Sequence, residues 1–187
     1  MRELSLNILD IAQNSIVAEA SLIEITVEED REKQTLFIGI SDNGKGMDEQ
    51  TLKSVKDPFY TTRTTRKVGM GIPLFKMAAE MTGGNLELTS EVNVGTKISA
   101  LFHTDSIDFT PLGDIESTVL MLITLNTGID FIFRYVIDGK EFVLNTTEIK
   151  QILEGVSLDT PEVREWLKEY ISEQIQIIRG GVNNEIT

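Results

Sequence analysis

The chain has no cysteine among its 187 residues, which excludes disulfides, cysteine-ligated zinc, iron–sulfur clusters and thiol nucleophiles. It has one histidine, His103, so a multi-histidine metal centre is excluded as well. Positive charge is scarce: 17 Lys and Arg stand against 30 Asp and Glu, for a net charge of −13. A chain of that balance has no global field with which to hold nucleic acid. No apolar run approaches the roughly 20 residues that span a bilayer. The opening MRELSLNILD carries an acid early and lacks a signal-peptide core, so a cytoplasmic setting without membrane contact is expected. What is present is ordinary globular composition, 41% hydrophobic and 25% charged. At this length folding hides roughly 70% of the unfolded surface, enough for a core without covalent staples.

The acidity is uneven. Residues 1–104 hold 11 basic and 15 acidic residues, net −4, and residues 105–187 hold 6 and 15, net −9. The break falls in the polar stretch Thr104–Gly113, with Pro111 and Gly113, which reads as a linker. Two parts are therefore expected, 1–104 and a small acidic module over 105–187. In the first part, Leu4, Ile8, Ile11 and Ser15 recur at helical spacing, predicting a helix over 3–20. Ile23, Ile25 and Val27 alternate with polar residues, as do Leu36, Ile38 and Ile40, predicting two hairpin-linked strands. A short helix over Asp48–Val55 follows, then a loop over 56–70, a helix over Ile72–Met81, and strands over Asn85–Ser90 and Thr96–His103. Hairpin-connected strands with helices for one face predict a two-layer α/β sandwich of the α+β class.

Two glycine-rich loops stand out. Gly39-x-x-x-x-Gly44-Lys45 begins like a Walker A loop, but Gly46 replaces the hydroxyl residue that holds magnesium there, and Gly39 sits inside a strand. Gly69-Met70-Gly71-Ile72-Pro73-Leu74 lacks the third glycine of a dinucleotide loop. Asp10 and Asn14, four residues apart, share one side of the first helix. The Asn14 amide oxygen suits a magnesium ion that keeps several waters, and Asp10 is placed to accept a proton beside it. Asp42 opens a loop in which Gly44 and Gly46 allow close backbone approach, and its carboxylate can accept from an exocyclic amine such as that of adenine. Asp-Asn-Gly is equally the chemistry of a plain turn. Gly69 and Gly71 precede a helix whose free N–H groups suit an anion. Lys53, Lys56, Arg63, Arg66 and Lys67 cluster around that loop, as a polyphosphate would require.

Taken together these segments resemble the GHKL family, the ATPases shared by DNA gyrase, the heat-shock chaperone, histidine kinases and MutL. DIAQNSIVAEA is similar to the N box, SDNGKGM to the first glycine box, DPFYTTR to the F box, VGMGIPL to the second glycine box and NVGTKISALF to the closing box. They follow in the family's order over about residues 4–103, with a kinase-like step of 17 residues from Asp42 to Phe59. The resemblance implies a Bergerat-type fold that binds ATP with Mg²⁺. By it, Asn14 is the metal ligand. Asp42, Gly44, Gly46, Met47, Phe59, Arg63, Lys67, Gly69, Met70, Gly71, Ile72 and Thr96 line the nucleotide, with Asp10 as the catalytic carboxylate. Three departures are visible: Asp10 stands where hydrolysing members have Glu, Lys67 where the second glycine box usually opens with glycine, and Val17 where histidine kinases often have Lys.

The second half of the box set is the more kinase-like, resembling stand-alone histidine kinase and anti-sigma-type domains. Phosphoryl transfer to a separate partner protein is the leading expectation, because histidine kinases carry the acceptor on an upstream helical hairpin and this chain starts almost at the N box. The alternatives are an ATP-driven switch of the MutL–gyrase type and a nucleotide-sensing subunit without turnover. In 105–187 the apolar run Ile115–Leu125, a hairpin about Asp138-Gly139, a short helix over Thr147–Leu153 and a long helix opened by Thr160-Pro161 are expected, with no catalytic constellation. That module is expected to pack on the first part or to form an interface with a partner carrying basic patches; a homodimer is the open alternative.

Overall fold

The structure, a computed structural model, describes residues 3–56 and 71–180. Helix α1 (Leu4–Val17) buries Leu4, Ile8, Ile11, Ala12 and Ser15. It stops short of the expected residue 20 because Glu19 adopts a left-handed conformation, φ 59°. The Glu19 and Ala20 amides then bond back to the Ile16 and Ser15 carbonyls at 3.0 and 3.2 Å, the paired closure of a Schellman turn. Strands β1 (Leu22–Asp30) and β2 (Thr35–Asp42) form an antiparallel hairpin. Helices α2 (Glu49–Lys56) and α3 (Gly71–Met81) precede β3 (Asn85–Glu91) and β4 (Gly95–His103). Then come α4 (Ile115–Leu125), β5 (Asp130–Ile137), β6 (Lys140–Asn145), α5 (Thr146–Ile152) and α6 (Pro161–Ile178).

All six strands form one sheet in the order β3-β4-β2-β1-β5-β6. Every pairing is antiparallel except β1 with β5. Registers such as Leu88↔Ile98, Ile98↔Ile40, Ile40↔Ile25, Ile25↔Phe133 and Phe133↔Leu144 carry a buried row across the whole sheet. Helices α1, α3, α4 and α6 pack against that face, and the opposite face carries polar residues such as Glu24, Glu28, Ser41, Lys97 and Arg134. This is the two-layer α+β sandwich that the alternation predicts. Each fully buried Ile, Leu or Phe contributes roughly 1.5–3 kcal/mol relative to exposure.

The stretch after β4 returns to the start of α1. The amides of Leu4 and Ser5, which have no partner within the helix, donate to the carbonyls of Pro111 and Leu112 at 2.9 and 2.8 Å. The Glu3 carboxylate accepts from the Asp114 amide at 2.8 Å, and Asp114 caps α4 through the Ser117 amide at 2.9 Å. So α4 lies beside α1, and β5 adds to the sheet parallel to β1. The segment 105–180 thereby shares one hydrophobic core with the first part. At the far end of β1, the buried Tyr135 hydroxyl donates to Glu29 and accepts from Arg179 at 3.1 Å, tying the end of α6 to the sheet. Burial, and next the neighbouring Glu29, push the Tyr135 hydroxyl well above the usual tyrosine range. Among the described residues, no helix is long and apolar enough to cross a membrane.

Candidate functional site

Amphipathicity decides where α1 points. With Ile8, Ile11 and Ser15 buried, Asp10 is left exposed and Asn14 half-buried, one turn apart. Strand β2 ends beside this helix. The buried Ser15 hydroxyl donates to Oδ2 of Asp42 at 2.5 Å, and the Gly44 amide donates to Oδ1 at 2.9 Å. The Asp42 carboxylate is therefore fixed by one bond from the helix and one from its own loop.

The loop itself is anchored at both ends. The Asn43 side chain accepts from the Ser21 and Leu22 amides, both at 2.9 Å, and donates to the Ser21 hydroxyl at 2.9 Å. The Lys45 amide donates to the Ala18 carbonyl at 2.9 Å, and a side chain at Gly44 would lie 2.7 Å from that same oxygen. Farther on, the Met47 amide donates to the Ser90 hydroxyl at 2.8 Å, and Ser90 lies 2.8 Å from the Thr96 hydroxyl. Gly46 has φ 66°, and a Cβ there would sit 1.9 Å from the Glu91 carbonyl oxygen. Gly95 has φ 137°, and a Cβ there would sit 1.9 Å from the Asp42 carbonyl oxygen. Two glycines thus let the loop over 42–47 press against the β3–β4 turn, with Thr96 paired opposite Asp42.

Gly71 opens α3 directly against α1. A Cβ at Gly71 would meet the Asp10 Cβ at 3.0 Å and Oδ2 at 3.7 Å. Helix α3 therefore starts beside Asp10, and the amides of its first turn are the kind of group that binds an anion; Ile72 is buried behind them. Of the residues singled out in the sequence, Asp42, Gly44, Gly46, Met47 and Thr96 take part in these loop contacts and Asp10 meets Gly71, while Asn14 precedes Ser15 on α1 and Ile72 follows Gly71 on α3. Phe59, Arg63, Lys67, Gly69 and Met70 lie outside the described residues. Ser15 and Ser90 were not singled out. Ser15 follows Asn14 directly and Ser90 lies opposite Thr96 in the β3–β4 register, yet a serine in a buried stripe or strand carries no signal of its own partner. His103 pairs with Thr35, at the opposite end of β2 from Asp42.

An α+β sandwich whose first helix, glycine-rich loop after β2 and β3–β4 turn meet at one strand end has the make-up of a nucleotide-binding ATPase domain. Residues 1–106 match the family model described as "Histidine kinase-, DNA gyrase B-, and HSP90-like ATPase". The chain belongs to that family. Among curated proteins it is similar to "Sensor histidine kinase YvrG" of Bacillus subtilis, 30% identical over 93 residues, which are 48% of this chain and 16% of that one. It is also similar to "Sensor protein SrrB" of Staphylococcus aureus, 38% identical over 79 residues, 40% of this chain and 13% of that one. The match thus spans between about an eighth and a sixth of the length of these two relatives. Among solved structures, "Aquifex aeolicus MutL ATPase domain complexed with ADP" aligns over 97% of this chain and 70% of that chain, with 11% identity and a TM-score of 0.49. The catalytic domain of histidine kinase ThkA aligns over 53% and 64%, with 22% identity and a TM-score of 0.40.

Proposed function

We propose that this chain binds ATP with Mg²⁺ among α1, the loop after β2 and the start of α3, and transfers the γ-phosphoryl group to a separate protein. The observation that carries this reading is the Ser15–Asp42 bond, which brings the carboxylate suited to a purine amine next to the helix that bears Asn14 and Asp10. Asp42 keeps acceptor capacity beyond its bonds to Ser15 and Gly44, since an ionised carboxylate has about four lone-pair sites.

The donor set fits Mg²⁺ carried in with phosphates. Among the described residues no group of three His, Cys, Asp or Glu could form a cage of its own. One Asn14 amide oxygen, waters and phosphate oxygens are the usual company of this ion at nucleotide sites. When bound, the ion neutralises charge that develops on the phosphates. Asp10 accepts the proton of the attacking hydroxyl, imidazole or water. The start of α3 offers its first-turn amides to the phosphates, and the family resemblance assigns Arg63 and Lys67 to the same phosphates. A cytoplasmic setting supplies the ATP.

An acceptor on another protein is supported by the position of His103. It lies seven residues along β2 from the register position of Asp42, about 24 Å at strand spacing, too far to receive a phosphoryl group in place. Incubation of the full chain with γ-labelled ATP and candidate partner proteins tests the proposal. Label on a partner, lost with Asp10→Asn while ATP binding persists, is the expected result. Release of free phosphate without protein labelling favours the second reading, a hydrolysing switch, for which the direct contact of Asp10 with the start of α3 speaks. Failure to bind ATP at all overturns both.

A further inference from the structure

Helix α6 has two flanks of opposite character. Val163, Leu167, Ile171, Ile175 and Ile178 form its buried stripe. At 3.6 residues per turn, Trp166, Tyr170 and Ile177 fall on one flank together with Glu162, Glu169 and Glu173. Arg164, Lys168 and Arg179 fall on the other. Among the described residues, no cation pairs with Glu162, Glu169 or Glu173, while Lys168 turns to Glu165 at 3.9 Å. An aromatic row leads outward along the first flank. Phe142 of β6 is buried, Tyr170 meets it edge-on at 5.7 Å, and Trp166 stacks flat on Tyr170 at 5.2 Å and 8°. Trp166 is nevertheless 46% exposed and Ile177 43%. The row stands beside β6, the last strand of the sheet.

We infer that this flank of α6 is a docking surface for a basic, amphipathic segment of a partner protein. An indole held flat by a neighbouring ring has already lost its rotamer freedom, so covering it costs little further ordering. Its face attracts a guanidinium or ammonium through the ring quadrupole, and three unpaired carboxylates around it add charge of the matching sign. The same carboxylates repel a nucleic acid, an anionic membrane and a second copy of this chain, whose net charge is −13. The nucleotide reading plays no part in this, since α6 shares no residue with that site.

Trp166 is the only tryptophan in the chain, so its emission reports on this patch alone. The probe is a synthetic amphipathic peptide of Leu and Arg, with a Leu and Glu peptide of the same pattern as control, titrated into the full chain. A saturable shift of the emission with the first and none with the second is expected. By calorimetry Trp166→Ala weakens binding about tenfold, as loss of an aromatic anchor does. Glu162→Gln, Glu169→Gln and Glu173→Gln combined weaken it and flatten its salt dependence. Glu32→Gln, Glu87→Gln and Asp108→Asn combined, which remove the same charge elsewhere, leave it within about twofold. Unchanged thermal melts show that the variants fold. Silent emission, or equal weakening by the remote substitutions, overturns the inference. Light scattering that shows a dimer dissolved by Trp166→Ala also overturns it, in favour of a second copy as the occupant.

Discussion

Ser15 and Asp42 are 27 residues apart in the chain and joined by a 2.5 Å hydrogen bond from a hydroxyl that is buried to a carboxylate that is partly exposed. The bond locks the one acid at the end of β2 to the turn of α1 that follows Asn14. Asp42→Asn replaces an acceptor-only group with one that presents a donor to the same amine. ATP affinity is expected to fall by about a hundredfold, near the upper range for charge-assisted bonds. Ser15→Ala, which leaves the carboxylate in place but frees Oδ2, lowers affinity by only about fivefold. Calorimetry on both variants checks the order; equal losses would sink the idea that Ser15 acts through Asp42.

Asn14→Ala removes the amide oxygen proposed to hold magnesium. Affinity for ATP measured with EDTA is expected to stay near wild type, while the gain on adding Mg²⁺ disappears. Paired titrations with and without the ion decide this, and a persisting Mg²⁺ effect means that another group holds the metal.

Gly95 is the point where backbone meets backbone. An alanine there needs both a φ of 137° and a Cβ placed 1.9 Å from the Asp42 carbonyl oxygen. The strand end must shift, so Gly95→Ala should cost about 2–4 kcal/mol in urea unfolding. By contrast Gly128, with open space around its Cβ position, should tolerate alanine within about 0.5 kcal/mol.

Tyr135→Phe removes the donor that Glu29 accepts and the acceptor that Arg179 meets. The expected cost is about 1–3 kcal/mol, the range for a buried group left without its partner. The pH dependence has a definite sign. The folded-state pKa of Tyr135 lies above the unfolded one, so the stability it contributes is complete below about pH 10 and declines as pH rises beyond that. Unfolding free energies from pH 8 to 11 should therefore fall more steeply for the wild type than for Tyr135→Phe.

The placement of several candidate residues was legible, because helical spacing and strand alternation are local properties of the chain. Asp10 and Asn14 could be placed on one helix side from spacing, and Asp42 at a strand end from the alternation that precedes it. The Ser15–Asp42 and Met47–Ser90–Thr96 contacts were not legible, since a hydroxyl in a buried stripe reads as neutral packing until its partner strand is known.

The sequence by itself determined the secondary elements, the apolar side of each and the order of the glycine-rich loops, because periodicity and turn chemistry are local properties of the chain. It did not determine which strand lies next to which. The step in acidity at 104 is a property of the surface, whereas the β1–β5 ladder that crosses it is made of backbone groups that are the same at every residue. Only the tertiary structure, by returning Pro111 and Leu112 to the head of α1, set α4 beside α1, brought β5 into the sheet and left the aromatic flank of α6 facing outward.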